Sequence, residues 1–142
     1  MPRGPAAREL GQIALVLDAD GLTKLARRDR RVREMVRQVV VESRGVVVVP
    51  TVVVIQALVE RSQTGAISEI VEAAIQPVLD RERVRLAADL LIATSTRDVP
   101  DAVVAAEALL RVPSIVITSD PIDLRALLAV DDRGRRVELW DV

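Results

Sequence analysis

The chain has 142 residues, the length of one domain that can bury a core of its own. Half of its residues are apolar and 29% are charged, a composition that excludes an intrinsically disordered chain. It contains no cysteine and no histidine, which excludes disulfides, thiolate metal sites, the usual zinc ligand and the usual general base. The net charge of −1 does not favour binding of nucleic acid by the molecule as a whole.

Neither a membrane helix nor a leader is expected. No uncharged stretch approaches the roughly 18 residues that a membrane-spanning helix needs, and residues 1–12 lack the apolar core of a signal peptide. We therefore expect a cytoplasmic protein that does not bind membranes. Residues 1–12 are expected to form a flexible tail, and residues 13–142 a single domain.

The predicted elements alternate between strands and helices along the chain. Short apolar runs predict strands over 13–18, 46–49, 77–79, 114–118 and 137–140, of which 77–79 is a short edge strand. Periodicity and capping signals predict helices over 21–28, 30–43, 50–61, 66–75 and 121–129, one marked by Val84, Ala87, Ala88 and Leu91, and one that opens at Pro100-Asp101. This alternation predicts an α/β fold, with a parallel sheet that helices cover on both faces.

Three further features predict helix ends and faces. Gly45 is expected to cap the end of the helix over 30–43. Pro50 suits the first turn of the next helix, where its missing N–H would be unpaired in any case. The residues expected to face inward from the helix that opens at Pro100 are Ala102, Ala105, Ala106 and Leu109.

Acidic residues follow two of the predicted strands and open one helix. The first strand ends in Asp18-Ala19-Asp20, the strand over 114–118 leads into Asp120, and Asp101 opens a helix. Each of these residues alone could simply cap a helix. Because the carboxyl ends of parallel strands meet at one edge of a sheet, we expect Asp18, Asp101 and Asp120 to lie together. The set predicts a carboxylate-held divalent metal.

Mg²⁺ or Mn²⁺ suits such a site, because these hard cations bind a few carboxylates and keep several waters. Such a metal can activate water and stabilise charge on the leaving oxygen of a phosphodiester. Gln56 could reach the acidic cluster from the helix that follows Pro50, although an amide oxygen is a weaker ligand than a carboxylate. Glu60 lies one turn further along, and the alternative is that both side chains simply face solvent.

Four segments together resemble a PIN domain, and they are most similar to the VapC toxins of bacterial toxin–antitoxin pairs. The segments are the strand that ends at Asp18, then Val49–Gln56, Asp101–Ala106 and Val116–Leu124. The resemblance spans about residues 13–140. It implies a PIN-like three-layer α/β/α fold, whose central parallel sheet has the strand order 3-2-1-4-5.

The resemblance also implies a function. The family members are Mg²⁺-dependent endoribonucleases, form dimers, and are neutralised by a cognate antitoxin whose C-terminal segment lies across the active-site groove. Asp18 matches the first acidic residue of the family, Asp101 the third and Asp120 the fourth. Asp123 matches an acidic position often found just after the fourth.

One position departs from the family pattern. Gln56 stands where the family usually has glutamate, and the lost charge should weaken metal binding. Asp20 stands where the family commonly has a small polar residue, and it could restore that charge. The resulting catalytic set is Asp18, Gln56, Asp101, Asp120 and Asp123, and the metal ligands are Asp18, Asp20, Asp101 and Asp120.

The candidate surface for RNA or antitoxin is an arginine cluster that includes Arg27, Arg28 and Arg31. The chain has no phenylalanine or tyrosine and one tryptophan, so it lacks an aromatic platform for stacking bases. The alternative is a solvated helix face, with Asp29 and Glu34 balancing the arginines.

Two other functions stay open. Leu17–Leu22 resembles the first motif of haloacid-dehalogenase-like phosphatases, although their mid-chain lysine is missing, because the single Lys24 comes too early, and Asp101 would have no role. The third possibility is a PIN-like RNA- or antitoxin-binding module whose catalysis has decayed, with Gln56 as the trace.

Overall fold

The computed structural model describes residues 12–142, and the predicted tail lies outside these residues except for Gln12. The four strands of one parallel sheet are β1 (Ala14–Leu17), β2 (Val46–Val48), β3 (Ser114–Thr118) and β4 (Val137–Asp141), and they lie in the order β2-β1-β3-β4. The helices are α1 (Ala19–Ala26), α2 (Arg30–Arg37), α3 (Thr51–Val59), α4 (Thr64–Ala73), α5 (Arg81–Thr94), α6 (Val99–Leu110) and α7 (Pro121–Leu128).

The two central strands have the apolar runs that the sequence predicts for buried strands. Every residue of β1 and β3 is buried, so helices cover both faces of the sheet. Leu15 of β1 pairs with Val47 of β2 on one side and with Ile115 of β3 on the other. The predicted α/β class and parallel sheet are confirmed. Among residues 12–142, no helix combines the length and apolarity needed to cross a membrane.

The predicted edge strand over 77–79 is wrong. The chain instead makes one parallel bridge beside β2, where the Ile75 N–H donates to the Val47 carbonyl at 2.8 Å and the Val49 N–H donates to the Ile75 carbonyl at 2.9 Å. Pro77 has no N–H to extend this ladder, so pairing stops. The predicted order 3-2-1-4-5 therefore holds for four strands, and the predicted third strand, at the edge beside β2, is present only as this bridge.

Gly45 has a different role from the predicted helix cap. Helix α2 continues into a π-helical turn, Gln38–Glu42, and the left-handed residue after it is Arg44, with φ of 53°. A Cβ atom on Gly45 would lie 2.5 Å from the Ile13 carbonyl oxygen. Gly45 is thus required by the close approach of two backbones. Pro50, similarly, precedes the first turn of α3 as its N-cap, one position earlier than predicted.

Helix α5 forms where the sequence predicts a helix, but its buried face is rotated. Val84 and Ala88, two of its four marker residues, are exposed, whereas Ala87 and Leu90 are buried. Arg83 turns towards α6 because it pairs with a buried glutamate there. The ion pair therefore accompanies the burial of Ala87 and Leu90 in place of the predicted face.

Helix α6 is the most deeply buried helix segment, because every residue from Ala102 to Leu109 is buried. The predicted inward-facing residues Ala102, Ala105, Ala106 and Leu109 are among them. Glu107 lies in the same stretch and is 1% exposed. Its carboxylate accepts hydrogen bonds from Arg83 Nε at 2.6 Å and from Arg111 Nε at 2.5 Å.

Candidate metal site

The strand register brings the two predicted acidic strand ends together. Leu17, the last residue of β1, pairs with Ile117 of β3, so the carboxyl ends of these neighbouring strands are level. The Asp18 N–H donates to the Ile117 carbonyl at 3.2 Å. Asp18 and Asp120, which follow β1 and β3, therefore lie at the same edge of the sheet.

Asp18 both caps a helix and belongs to the candidate site. Its Oδ1 accepts a hydrogen bond from the Gly21 N–H at 2.7 Å as the N-cap of α1. A Cβ atom on Gly21 would lie 3.0 Å from the Ile117 carbonyl oxygen, so glycine lets α1 approach β3 this closely. The cap fixes the Asp18 carboxylate in place, at 7% exposure.

Asp120 is held in a similar way as the N-cap of α7. Its N–H donates to Thr118 Oγ1 at 2.8 Å, and its Oδ1 accepts from the Asp123 N–H at 3.5 Å. Pro121 occupies the first turn, as predicted for a helix that begins at this point. The cap therefore orients both Asp120 and the start of the turn that carries Asp123.

Asp101 lies in the first turn of α6, and the cap of that helix is a residue that the sequence analysis missed. Asp98 Oδ1 accepts a hydrogen bond from the Asp101 N–H at 3.0 Å. The signal was present, because an aspartate followed two residues later by Pro100 is typical of a helix N-terminus. Asp98 brings one more carboxylate to the site.

A cavity of about 350 Å³ lies at this edge of the sheet. Its polar lining consists of Asp18, Asp20, Gln56, Asp98, Asp101, Ser119 and Asp120. Gln56 and Asp20 are exposed, as the alternative expected for Gln56, and they also line the same cavity as the three predicted acidic positions. Glu60 is exposed and lies outside the lining. Within residues 12–142, no lysine or arginine lines the cavity.

Three carboxylates converge closely enough to share one cation. Oxygen atoms of Asp101, Asp120 and Asp123 all lie within 4.8 Å of one another. Asp18 and Asp20, both predicted as metal ligands, border the cavity but do not belong to this trio. The geometry therefore adds Asp123, predicted as catalytic, to the candidate ligands.

The carboxylates repel one another. Burial, and after it the negative charges of Asp98, Asp120, Asp18 and Asp123, together raise the pKa of Asp101 to about 7. A hydrogen bond with the Asp120 carboxyl, and the charge of that group, raise the pKa of Asp123. Since no basic side chain of the described chain lines the cavity, this charge is left for an external cation.

Asp20, in the first turn of α1, links this helix to Ser119, the residue that follows β3. The Ser119 hydroxyl donates a hydrogen bond to Asp20 Oδ2. Burial raises the pKa of Asp18, and the Asp20 charge raises it further, against the hydrogen bond from Gly21. Asp20 therefore adds negative charge to the site from a fixed position.

Helix N-termini also converge on the site. Helices α1, α6 and α7 begin at or beside Asp18, Asp101 and Asp120. The positive end of each helix dipole favours an ionised carboxylate nearby, by about 0.3–1 kcal/mol. This contribution offsets only part of the cost of burial and repulsion, because the pKa of Asp101 still rises to about 7.

The predicted arginine cluster lies elsewhere. Arg27 caps the C-terminal end of α1, Arg28 follows it in a left-handed conformation with φ of 61°, and Arg31 lies in the first turn of α2. All three side chains are exposed, and none lines the acidic cavity.

The fold has a counterpart among solved structures. No protein-family model matches the sequence, and no curated protein matches it. The structure is similar to a chain in the crystal structure of VapBC2 from Rickettsia felis bound to a DNA fragment from their promoter, with a TM-score of 0.63 and 8% sequence identity. The match covers 90% of this chain and 99% of that chain. The protein therefore has the PIN-like α/β fold that its acidic segments predict.

Proposed function

We propose that the chain is a VapC-type toxin, a Mg²⁺-dependent endoribonuclease that cleaves RNA phosphodiester bonds, with Mn²⁺ as an alternative cofactor. The observation that carries this proposal is the convergence of oxygen atoms of Asp101, Asp120 and Asp123 within 4.8 Å of one another. Asp101 and Asp120 also line a cavity that has no basic lining residue among residues 12–142. Like charges at such distances oppose ionisation unless a cation compensates them.

The donor chemistry fits a hard divalent cation. Asp101, Asp120 and Asp123 offer carboxylate oxygens, the ligands that Mg²⁺ and Mn²⁺ prefer, and Asp18 and Asp20 border the same cavity. When bound, such a metal activates water and stabilises charge on the leaving oxygen of a phosphodiester. The chain itself has no histidine to act as a base.

The residues of the chain hold the carboxylates in fixed positions. The Gly21 N–H fixes Asp18, and the Thr118 hydroxyl accepts the backbone N–H of Asp120. These contacts lie at strand ends and helix caps, which are rigid elements of the fold, so the carboxylates need little rearrangement to bind.

Gln56 makes this site less negative than one with glutamate at that position. The amide lines the cavity and offers an oxygen, but it carries no charge. Asp20 lines the same cavity and supplies a carboxylate in compensation. We propose that Asp20 and Gln56 together sustain metal binding, with a lower Mg²⁺ affinity than a glutamate at position 56 would give.

A cognate antitoxin is the proposed protein partner. The similar Rickettsia felis structure is a VapBC2 complex. Ile55, Val99 and Ile122 are exposed, and each lies beside a residue of the acidic site in the sequence. A segment with apolar side chains and one basic side chain would suit both these exposed apolar residues and the negative cavity.

A homodimer in the cytoplasm completes the proposal. Val59, Val78 and Ile92 are at least 72% exposed, and an interface that covered them would remove apolar surface from water. Sedimentation equilibrium of the purified chain measures the oligomeric state directly. A monomer at all concentrations would contradict the proposed homodimer.

One experiment tests the function. Purified protein is incubated with structured RNA and with p-nitrophenyl phosphate, in Mg²⁺, Mn²⁺ or EDTA, beside Asp18→Asn. Exposed Asp89 on α5 offers a matched control, Asp89→Asn, with the same loss of one charge. We expect RNA cleavage that needs metal, disappears in Asp18→Asn and persists in Asp89→Asn.

The other functions give different results in the same experiment. Turnover of p-nitrophenyl phosphate without RNA cleavage would indicate the phosphatase. RNA binding without cleavage in either metal would indicate the binding module whose catalysis has decayed. Cleavage that survives in EDTA would exclude the metal site.

A further inference from the structure

An exposed arginine patch lies between the end of α1 and the first turn of α2. Its five members are Arg27, Arg28, Arg30, Arg31 and Arg33, all exposed and all within seven residues of sequence. This is the densest group of basic residues in the chain. It contrasts with the acidic cavity, which lies at the other end of α1.

The ion pairs of the described chain leave this patch unneutralised. Among residues 12–142, they engage Arg37, Arg83, Arg111 and Arg133, but no member of the patch. The acidic residue inside the patch is Asp29, and its Oδ1 accepts the Val32 N–H at 3.0 Å as the cap of α2. The guanidinium groups are therefore presented to solvent.

The position of the patch works against the stability of α2. Arg30, Arg31 and Arg33 lie in the first turns of this helix, and its first turn contains no acidic residue. Cations at this end oppose the helix dipole, by about 0.3–1 kcal/mol each. By contrast, the first turns of the other helices beside the site contain Asp20, Asp101 or Asp123. Local rules broken in this way are typical of functional surfaces.

The acidic cavity creates the need for such a surface. An RNA strand carries a negative charge on every phosphate, and the aspartates of the cavity repel it. Affinity for RNA must then come from a cationic surface outside the cavity. Helix α1 has eight residues, so the patch lies about 12 Å from Asp18 along that helix. A strand that enters the cavity can place neighbouring phosphates on the patch.

The low aromatic content of the chain also favours arginine as the side chain that contacts RNA. It contains no phenylalanine or tyrosine, and its one tryptophan, Trp140, is half-buried in β4. Arginine guanidinium groups bind phosphates and also stack on bases, so the patch can replace an aromatic platform.

We propose that the arginine patch binds the phosphate backbone of the RNA strand whose scissile bond lies in the acidic cavity. This inference rests on the proposed ribonuclease function, and it assigns the surface that supplies the binding affinity. It gives the two ends of α1 separate roles, because the first end holds the reacting carboxylates and the second holds the substrate.

The test compares two triple variants. Arg27→Gln, Arg30→Gln and Arg31→Gln together remove three of the five charges of the patch, whereas Arg81→Gln, Arg85→Gln and Arg136→Gln remove three charges from other exposed arginines. Binding of a fluorescent single-stranded RNA is measured in EDTA from 50 to 200 mM salt, with folding checked by circular dichroism. We expect the patch variant to lose at least about tenfold in affinity, and its salt slope to fall by about 2. The control variant should match the wild type.

Three outcomes would overturn the assignment. They are equal losses in both variants, no loss in the patch variant, and tighter binding of duplex DNA than of RNA by the wild type. Cleavage at saturating RNA in Mg²⁺ is measured separately. Intact binding without cleavage would reject the proposed function and leave the patch as an RNA surface. Cleavage with patch-independent binding would reject the patch alone.

Discussion

Helix α6 carries two carboxylates in opposite electrostatic surroundings. Glu107 is 1% exposed, and Arg83 and Arg111 donate to it at 2.6 Å and 2.5 Å. The hydrogen bond to Glu107, and then the charge of that carboxylate, raise the pKa of Arg83. Asp101, near the start of the same helix, has the negative charges of Asp98, Asp120, Asp18 and Asp123 as neighbours, and burial together with these charges raises its pKa to about 7.

The difference separates a structural carboxylate from a functional one. A buried charge is retained in a stable fold when the chain supplies its counterion, as Arg83 and Arg111 do for Glu107. No basic residue of the described chain lines the cavity that holds Asp101. We infer that the first arrangement serves packing and that the second awaits a cation from solution.

The largest expected effect is a loss of stability when Glu107 no longer neutralises Arg83 and Arg111. Glu107→Gln leaves Arg83 and Arg111 without their counterion, although both guanidinium groups keep some contact with water. We expect the free energy of unfolding to fall by about 3 kcal/mol, the lower end for a broken buried pair. Urea denaturation measures it. RNA cleavage per folded molecule should not change.

A matched control lies in the same network. Asp80 also pairs with Arg83, at 2.8 Å, but its side chain is 46% exposed. Asp80→Asn keeps a side-chain oxygen that can cap α5, so we expect a loss below about 1 kcal/mol. Equal losses in the two variants would contradict the idea that burial makes Glu107 structural.

The two carboxylate groups also differ in how far the sequence predicts them. Asp18 and Asp120 follow apolar strands, and parallel topology alone brings such ends to one edge. Glu107 gives no such signal, because a glutamate in an alanine-rich helix is normally expected on the exposed face. Its burial depends on Arg83, which lies 24 residues away on a helix whose rotation the sequence does not specify.

Local chemistry explains the other differences. The order of four strands was predictable from the alternation of elements and the family resemblance, but the third strand was not, because Pro77 limits the pairing to the bridge at Ile75. Asp98 was not predicted as a site residue because the helix was expected to open at Pro100, whereas α6 begins at Val99 and takes Asp98 as its cap. The sequence did not predict Asp123 as a metal ligand, because only the three-dimensional structure shows that its oxygen lies near those of Asp101 and Asp120.

A second prediction concerns the pH dependence of folding stability that comes from Asp101, because no basic residue among residues 12–142 lines its cavity to compensate its negative neighbours. The pKa of Asp101 is about 7 in the folded state against an ordinary value of 3.8, so the folded state binds the extra proton between these values. Its contribution to stability is therefore present at low pH and lost as the pH rises from about 4 to 7. The groups that face it are Asp98, Asp120, Asp18 and Asp123, all acidic.

Thermal unfolding in EDTA at pH 5 and pH 8 measures this effect, with the wild type beside Asp101→Asn. We expect the variant to gain stability relative to the wild type as the pH rises, because asparagine cannot acquire the unfavourable charge. Saturating Mg²⁺ should reduce that gain, since the cation stabilises the wild-type carboxylate. Asp89→Asn serves as the exposed control. A constant difference across this pH range would contradict the repulsion.

The smallest expected effect comes from adding one charge to the cavity. Gln56→Glu places a further carboxylate in the lining of the acidic cavity. The cavity becomes more negative, so a divalent metal should bind more strongly. We expect Mg²⁺ to bind about tenfold more tightly, equivalent to about 1.4 kcal/mol, with faster cleavage at low Mg²⁺. Calorimetric titration measures the affinity, and Gln63→Glu, at an exposed position outside the cavity, controls for net charge. An unchanged affinity would mean that Asp20 already supplies the charge that glutamine lacks, and a slower rate would mean that the amide itself orients the substrate.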